Sequence, residues 1–151
     1  MMIENLNKYS GSEIASILLL LHKIEDEVDF EHPVEVCLKF DNEELLTIKC
    51  AKNGQSIDVT SEHPKEIQME ELGDYVIAEL PTDSNLNNLV GSRLVKISEV
   101  YSEYCNSVIG LLFETSRSKS NILNLGDELF IFSDIPSEVI SEEKLIIRNS
   151  K

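Results

Sequence analysis

The chain contains the same module twice. Gly54-Gln55-Ser56-Ile57-Asp58-Val59-Thr60-Ser61-Glu62-His63-Pro64 aligns without a gap to Gly126-Asp127-Glu128-Leu129-Phe130-Ile131-Phe132-Ser133-Asp134-Ile135-Pro136. The match runs on at the same offset through Glu66/Glu138, Ile67/Val139 and Glu70-Glu71/Glu142-Glu143. Gly11-Ser12 and Gly91-Ser92 open the two copies, and Lys39-Phe40 answers Leu112-Phe113. A duplication constrains the fold, because each copy must form the same elements and the two apolar faces can bury each other. We expect one domain over residues 1–151, with repeats at 11–80 and 91–149 and a linker at 81–90 rich in Asn, Asp, Ser and Pro.

The elements read mostly as strands. Val34, Val36, Leu38 and Phe40 alternate with Glu35, Cys37 and Lys39, as a half-buried strand requires. Ile109, Leu111 and Phe113 mark its counterpart. Asn53-Gly54 between two alternating runs predicts a hairpin, since a type I′ turn needs positive φ at both central residues. The opening segment is ambiguous. Ile14, Ile17, Leu18, Leu21, Ile24 and Val28 recur at helical spacing, and Ser10 with Glu13 fits a capping box. Its counterpart, 93–101, is rich in β-branched residues, and a shared fold requires the same element in both. The expectation is therefore a mainly β chain of two antiparallel meanders forming a sandwich or partly closed barrel; the alternative is α+β with a helix at 12–28.

Charge is unevenly divided. Of the net charge of −15, residues 1–80 carry 18 acids and 6 bases, whereas the remainder carries 10 and 7. So negative a field disfavours nucleic acid and anionic membrane surfaces and favours a basic protein partner. Two acidic clusters stand out. One is Glu25-Asp26-Glu27-Val28-Asp29-Phe30-Glu31, where Val28 and Phe30 would be apolar anchors inside a charged rim. The other is Asp41, Glu43 and Glu44 at a hairpin tip. Taken together they read as one docking face, on which acids of residues 81–151 would matter less. Phe130 and Phe132 replace Asp58 and Thr60 of the first repeat; they either pack under the N-terminal segment or form a homodimer patch.

No catalytic motif is present: no phosphate loop, no G-x-G-x-x-G, no G-x-S-x-G and no H-E-x-x-H. Cys37, Cys50 and Cys105 have no metal spacing and read as reduced thiols of a cytoplasmic protein. His32-Pro33 and His63-Pro64 fall in expected loops, and no metal or other cofactor is expected. No apolar run reaches the length of a membrane span, and no leader peptide is expected.

A small, acidic, β-rich chain with these features resembles the immunity proteins of bacterial toxin systems, including contact-dependent growth inhibition. The phrase Asn124-Leu125-Gly126-Asp127-Glu128-Leu129 is similar to one found in small bacterial families. The resemblance implies no enzymatic activity. It implies a partner that is a cognate basic, nuclease-like toxin domain, neutralised by carboxylates facing its cationic active site. Two other readings stay open: a ligand-binding barrel or enzyme with a site between the repeats, and a dimeric adaptor.

Overall fold

The computed structural model describes residues 5–149, and it is mainly β. The first repeat supplies β1 (Ile14–Ile24), β2 (Glu27–Val28), β3 (Glu35–Phe40), β4 (Leu45–Cys50), β5 (Ile57–Thr60), β6 (Ile67–Gln68) and β7 (Asp74–Glu79). The second supplies β8 (Leu94–Ser102), β9 (Ser107–Thr115), β10 (Lys119–Asn124), β11 (Leu129–Phe132), the helix α1 (Ser137–Glu143) and β12 (Leu145–Asn149). These strands form two sheets. The first is strongly curled and runs β5-β4-β3-β1-β7-β6, with β2 folded back on the end of β1; the second runs β11-β10-β9-β8-β12. Once the two-residue strands β2 and β6 are set aside, the two orders coincide strand for strand. All the strand pairs are antiparallel. The architecture is that of a sandwich or partly closed barrel.

The segment 12–28 contains strand, not the alternative helix. The helical spacing has a specific cause. A register shift in the β1–β3 pairing between Ile14 and Ser16 moves the inward face by one residue. Ile14 and Ile17 therefore both reach the main core, followed by Leu19 and Leu21 at strand spacing. Leu20 is buried on the opposite face, so the strand is apolar on both sides and loses its period of two. The second repeat has the same device. Pairing slips between Leu94 and Lys96, and Leu94 and Ile97 enter the core three residues apart.

The repeats meet through their opening segments. Gly11 N–H donates to Leu94 O and Gly91 N–H to Ile14 O, both at 2.8 Å. Leu94 N–H donates to Ser12 O at 2.8 Å and Ile14 N–H to Ser92 O at 2.9 Å. Exchanging each residue with its counterpart converts each of these bonds into another of the set. The Glu13–Arg93 bridge thus lies at a local two-fold relation. The correspondence extends upstream of residues 11 and 91. Short 3-10 turns at Leu6–Tyr9 and Asn85–Asn88 precede the junction, and Leu6, Tyr9, Leu86 and Leu89 are all buried. Asn5-Leu6-Asn7 and Asn85-Leu86-Asn87 align, so residues 85–90 form the entry to the second repeat.

One core lies between the sheets and draws on both repeats, from Leu6, Tyr9, Phe40 and Ile48 to Ile97, Phe113 and Ile122. Tyr9 stacks on Phe40 at 4.8 Å and its hydroxyl donates to Leu45 O. Each fully buried aliphatic or aromatic side chain contributes about 1.5–3 kcal/mol. A second, smaller cluster (Val100, Ile109, Leu112, Leu123) covers the far face of the second sheet under Ile135, Val139 and Leu145. Glu99, fully buried, pairs with Arg148 across β8 and β12 at 3.0 Å, and the guanidinium lies 4.0 Å over the Tyr101 ring. No helix among the described residues is long and apolar enough to cross a membrane.

Gly110 permits a close approach of β9 to β10. A Cβ there would overlap the Ile122 carbonyl and the Leu123 side chain, whereas one at Gly126 (φ +65°) would meet open space. Gly110→Ala should therefore cost about 3 kcal/mol, and Gly126→Ala about 1 kcal/mol from left-handed strain alone. Urea unfolding of the two variants checks this; the reverse order of damage would mean that β9 and β10 are not so closely apposed.

Candidate functional site

The direction of β1 decides which acids can act together. Ile14 pairs with Phe40 and Leu20 with Glu35, so the hairpin 41–44 sits at the start of β1. The loop 25–31 sits at its other end. Ten residue steps of extended chain separate them, about 30 Å. The two halves of the expected docking face are therefore not brought together. At the hairpin end, Asp41 N–H donates to Glu13 O, Glu43 pairs with Lys39 at 3.1 Å, and Glu44 lies 3.9 Å from Lys8. The Glu43 and Glu44 carboxylates are thus partly neutralised.

The other end collects charge from several elements. Glu25 turns the chain at φ +57°, and β2 carries Glu27 and Val28 back along β1. Val28 packs against the main core, so it is not a surface anchor. Phe30 is 48% exposed. Asp29 Oδ1 accepts the backbone N–H groups of Glu31 and His32, which fixes the loop. Beside it, the 3-10 turn Glu70–Leu72 docks on β1: a Cβ at Gly73 would lie 2.5 Å from Lys23 O and 3.0 Å from the Ile24 side chain. A His22 Nε2 to Leu72 O contact of 2.6 Å holds the turn there. Ile24 (52% exposed) and Leu72 (71% exposed) thus stand among Glu25, Asp26, Glu70, Glu71 and Asp74. Periodicity put Ile24 on the apolar stripe of the alternative helix and did not mark Leu72; their exposure follows from chain direction and from the turn at Gly73.

The second repeat reaches the same end. Its β10–β11 turn lies against the β4–β5 turn, where Asn124 Nδ2 donates to Ser56 O at 2.9 Å. The turn is closed by Asp127 N–H to Asn124 Oδ1 and Leu125 N–H to Glu128 O. Asp127 and Glu128 consequently join Asp29, Glu35, His22, His32, Lys49, Cys50 and Tyr75 around a cleft of about 360 Å³ between the two repeats. His32 Nε2 lies 3.5 Å from Glu128 Oε2, a link across the repeats. Asp127 and Glu128 were legible only as turn residues of the repeated phrase.

The field in the cleft favours cations and opposes anions. Burial, together with Asp127 and Glu128, pushes the Cys50 thiol up to about 11, so it is held as a neutral thiol. Burial also raises the Glu35 carboxyl, Lys49 opposing and Glu62 adding to the shift. His63 lies apart, its Nδ1 2.8 Å from Pro64 O. No group of three or more His, Cys, Asp or Glu with metal-holding geometry occurs among the described residues. Phe130 packs 4.6 Å from the His32 ring and 6.0 Å from Phe132, and Phe132 packs on the smaller cluster. Both rings are half-buried by their own chain, Phe130 against the loop 30–32 instead of the N-terminal segment.

Comparison with protein families, curated proteins and solved structures finds no match.

Because its thiolate is suppressed, Cys50 should react with iodoacetamide at pH 8 far more slowly than an ordinary exposed thiol. Its rate should climb about tenfold per pH unit towards 11. Asp127→Asn with Glu128→Gln should accelerate labelling at pH 8. Peptide mapping by mass spectrometry reads both; rapid labelling of the unaltered protein at pH 8 would contradict the field described here.

Proposed function

We propose that the protein is an acidic protein-binding module, and specifically an immunity or inhibitor protein that captures a basic, nuclease-like toxin domain in the cytoplasm. The observation that carries this reading is the convergence at one end of the molecule: Ile24, Leu72 and Phe30 are exposed at the end where carboxylates of both repeats line one cleft. Apolar anchors inside a charged rim are the composition of a binding hot spot, and the rim steers a cationic partner into contact. Carboxylates at the cleft mouth would pair with the Lys, Arg or His side chains with which a nuclease holds phosphate. The mechanism is occlusion by charge mimicry; it requires no chemistry from this chain.

The cleft itself favours a second reading, a small-ligand or enzyme site between the repeats. Its mixed lining distinguishes it from the mostly apolar pockets that bury drug-sized ligands. The two readings separate at one step. Tagged protein purified from its native cells at low salt should retain a single basic protein, identified by mass spectrometry after a salt step. A bound small molecule with no protein partner would favour the second reading.

With the partner in hand, Glu70→Lys with Glu71→Lys should slow association about tenfold at low salt. Glu43→Lys with Glu44→Lys, at the opposite end, should change it less than about twofold. Leu72→Asp should speed dissociation. Stopped-flow measurements read all three, and an effect confined to the 43–44 variant would move the docking face to the hairpin end.

A further inference from the structure

The two repeats differ at one sheet edge. β7 and β12 hold equivalent places: β7 sets Ile77 opposite Leu20, and β12 sets Ile147 opposite Val100, the counterpart of Leu20. In the first repeat the outer edge of β7 is covered. β6 pairs Ile67 with Tyr75 and Gln68 with Asp74, and Glu66 Oε2 accepts the Ile77 N–H at 2.8 Å. In the second repeat the residues aligned with Glu66 and Ile67 are Glu138 and Val139, and both lie in α1. The second sheet therefore ends at β12, and no strand among the described residues covers its outer edge. The opposite edges, β5 and β11, end their sheets in both repeats.

The backbone at that edge is set for a further strand. Ile77 turns its N–H away from β1, so Ile147, in the equivalent register, turns its own away from β8. Antiparallel alternation gives the N–H and C=O groups of Leu145 and Asn149 the same direction. The side chains also register the missing cover. Ile146 and Ile147 point to opposite faces of the sheet and are 40% and 46% exposed, whereas Val76 and Ile77, in the same places beside β6, are half-buried.

Charge defines what fits there. Positions 74–79 hold two acids and no base (Asp74, Glu79), whereas 144–149 hold two bases and no acid (Lys144, Arg148). Arg148 is held by Glu99, and the Glu143 carboxylate next to Lys144 accepts the Ser102 hydroxyl. Lys144 takes part in no ion pair among the described residues, so its charge is available at the start of the edge. Pairing with the β12 of a second copy would set basic edge against basic edge, which disfavours that occupant.

We propose that the β12 edge binds an extended, acidic segment of a partner protein as an added antiparallel strand. A carboxylate of the segment takes the Ile147 N–H and an apolar residue lies beside Leu145, as Glu66 and Ile67 do at β7. Main-chain hydrogen bonds supply the affinity of such an addition and the side chains its specificity. This partner is distinct from the basic one proposed for the acidic end, and the two proposals stand or fall separately.

The test titrates a capped peptide of residues 64–70, the segment that covers β7, into the full chain and follows backbone amide NMR shifts. Leu145, Ile147 and Asn149 should shift saturably, and the Ile147 amide should exchange with deuterium more slowly when peptide is bound. Glu66→Ala in the peptide should weaken binding about tenfold, through loss of a charge-assisted hydrogen bond. In the protein, Ile147→Pro removes only an outward N–H on an edge strand, where proline is tolerated, and should abolish binding. Lys144→Glu should weaken it about threefold. The absence of saturable shifts at β12, shifts confined to β7, or equal binding of the Glu66→Ala peptide would overturn the proposal. So would a concentration-dependent dimer in sedimentation that Ile147→Pro converts to monomer, since a second copy would then be the occupant.

Discussion

The antiparallel junction of residues 11–14 with 91–94 is the constraint on which the rest of the structure depends. Its four backbone hydrogen bonds interchange when the repeats are exchanged, so neither repeat can shift without breaking bonds of both. The junction starts β1 and β8 side by side and sends them into different sheets. The inward faces of both sheets then close over one core, in which Phe40 and Phe113 hold equivalent places. A single meander of this size would leave that face in water; two of them bury it.

From this arrangement the functional asymmetry follows. The repeats share a strand order but differ in what lies after the Pro corners. In the first, the 3-10 turn 70–72 and β6 carry acids and Leu72 to the end of β1. In the second, α1 folds onto the outer face of its sheet and makes the smaller apolar cluster. One duplicated plan thus yields an acidic end built from both repeats and an apolar cluster belonging to one.

Much of the architecture was legible from residue patterns. Alternation marked β3 and β9, and the repeated phrase marked equivalent turns; Asn53-Gly54 marked the place of the β4–β5 turn but not its type, since Gly54 has positive φ and Asn53 does not. The opening strands were harder to read because each combines burial on both faces with a register shift. That shift places Ile14 and Ile17, or Leu94 and Ile97, three residues apart on one face, which is the spacing of a helix. The repeat boundaries were drawn late because Tyr9 and Leu89 are equivalent in burial but not in residue type.

The sequence by itself determined the strand content, the duplication and the excess of acid in the first repeat, because these follow from local periodicity and composition. Only the tertiary structure decided which acids act together. Asp41, Glu43 and Glu44 are close in sequence to Glu25–Glu31 but a strand's length away in space. Asp127 and Glu128, distant in sequence, face Asp29 and Glu35 across a cleft. The physical reason is that an antiparallel hairpin sends successive turns to opposite ends of a sheet, whereas the two-fold junction brings turns of different repeats together.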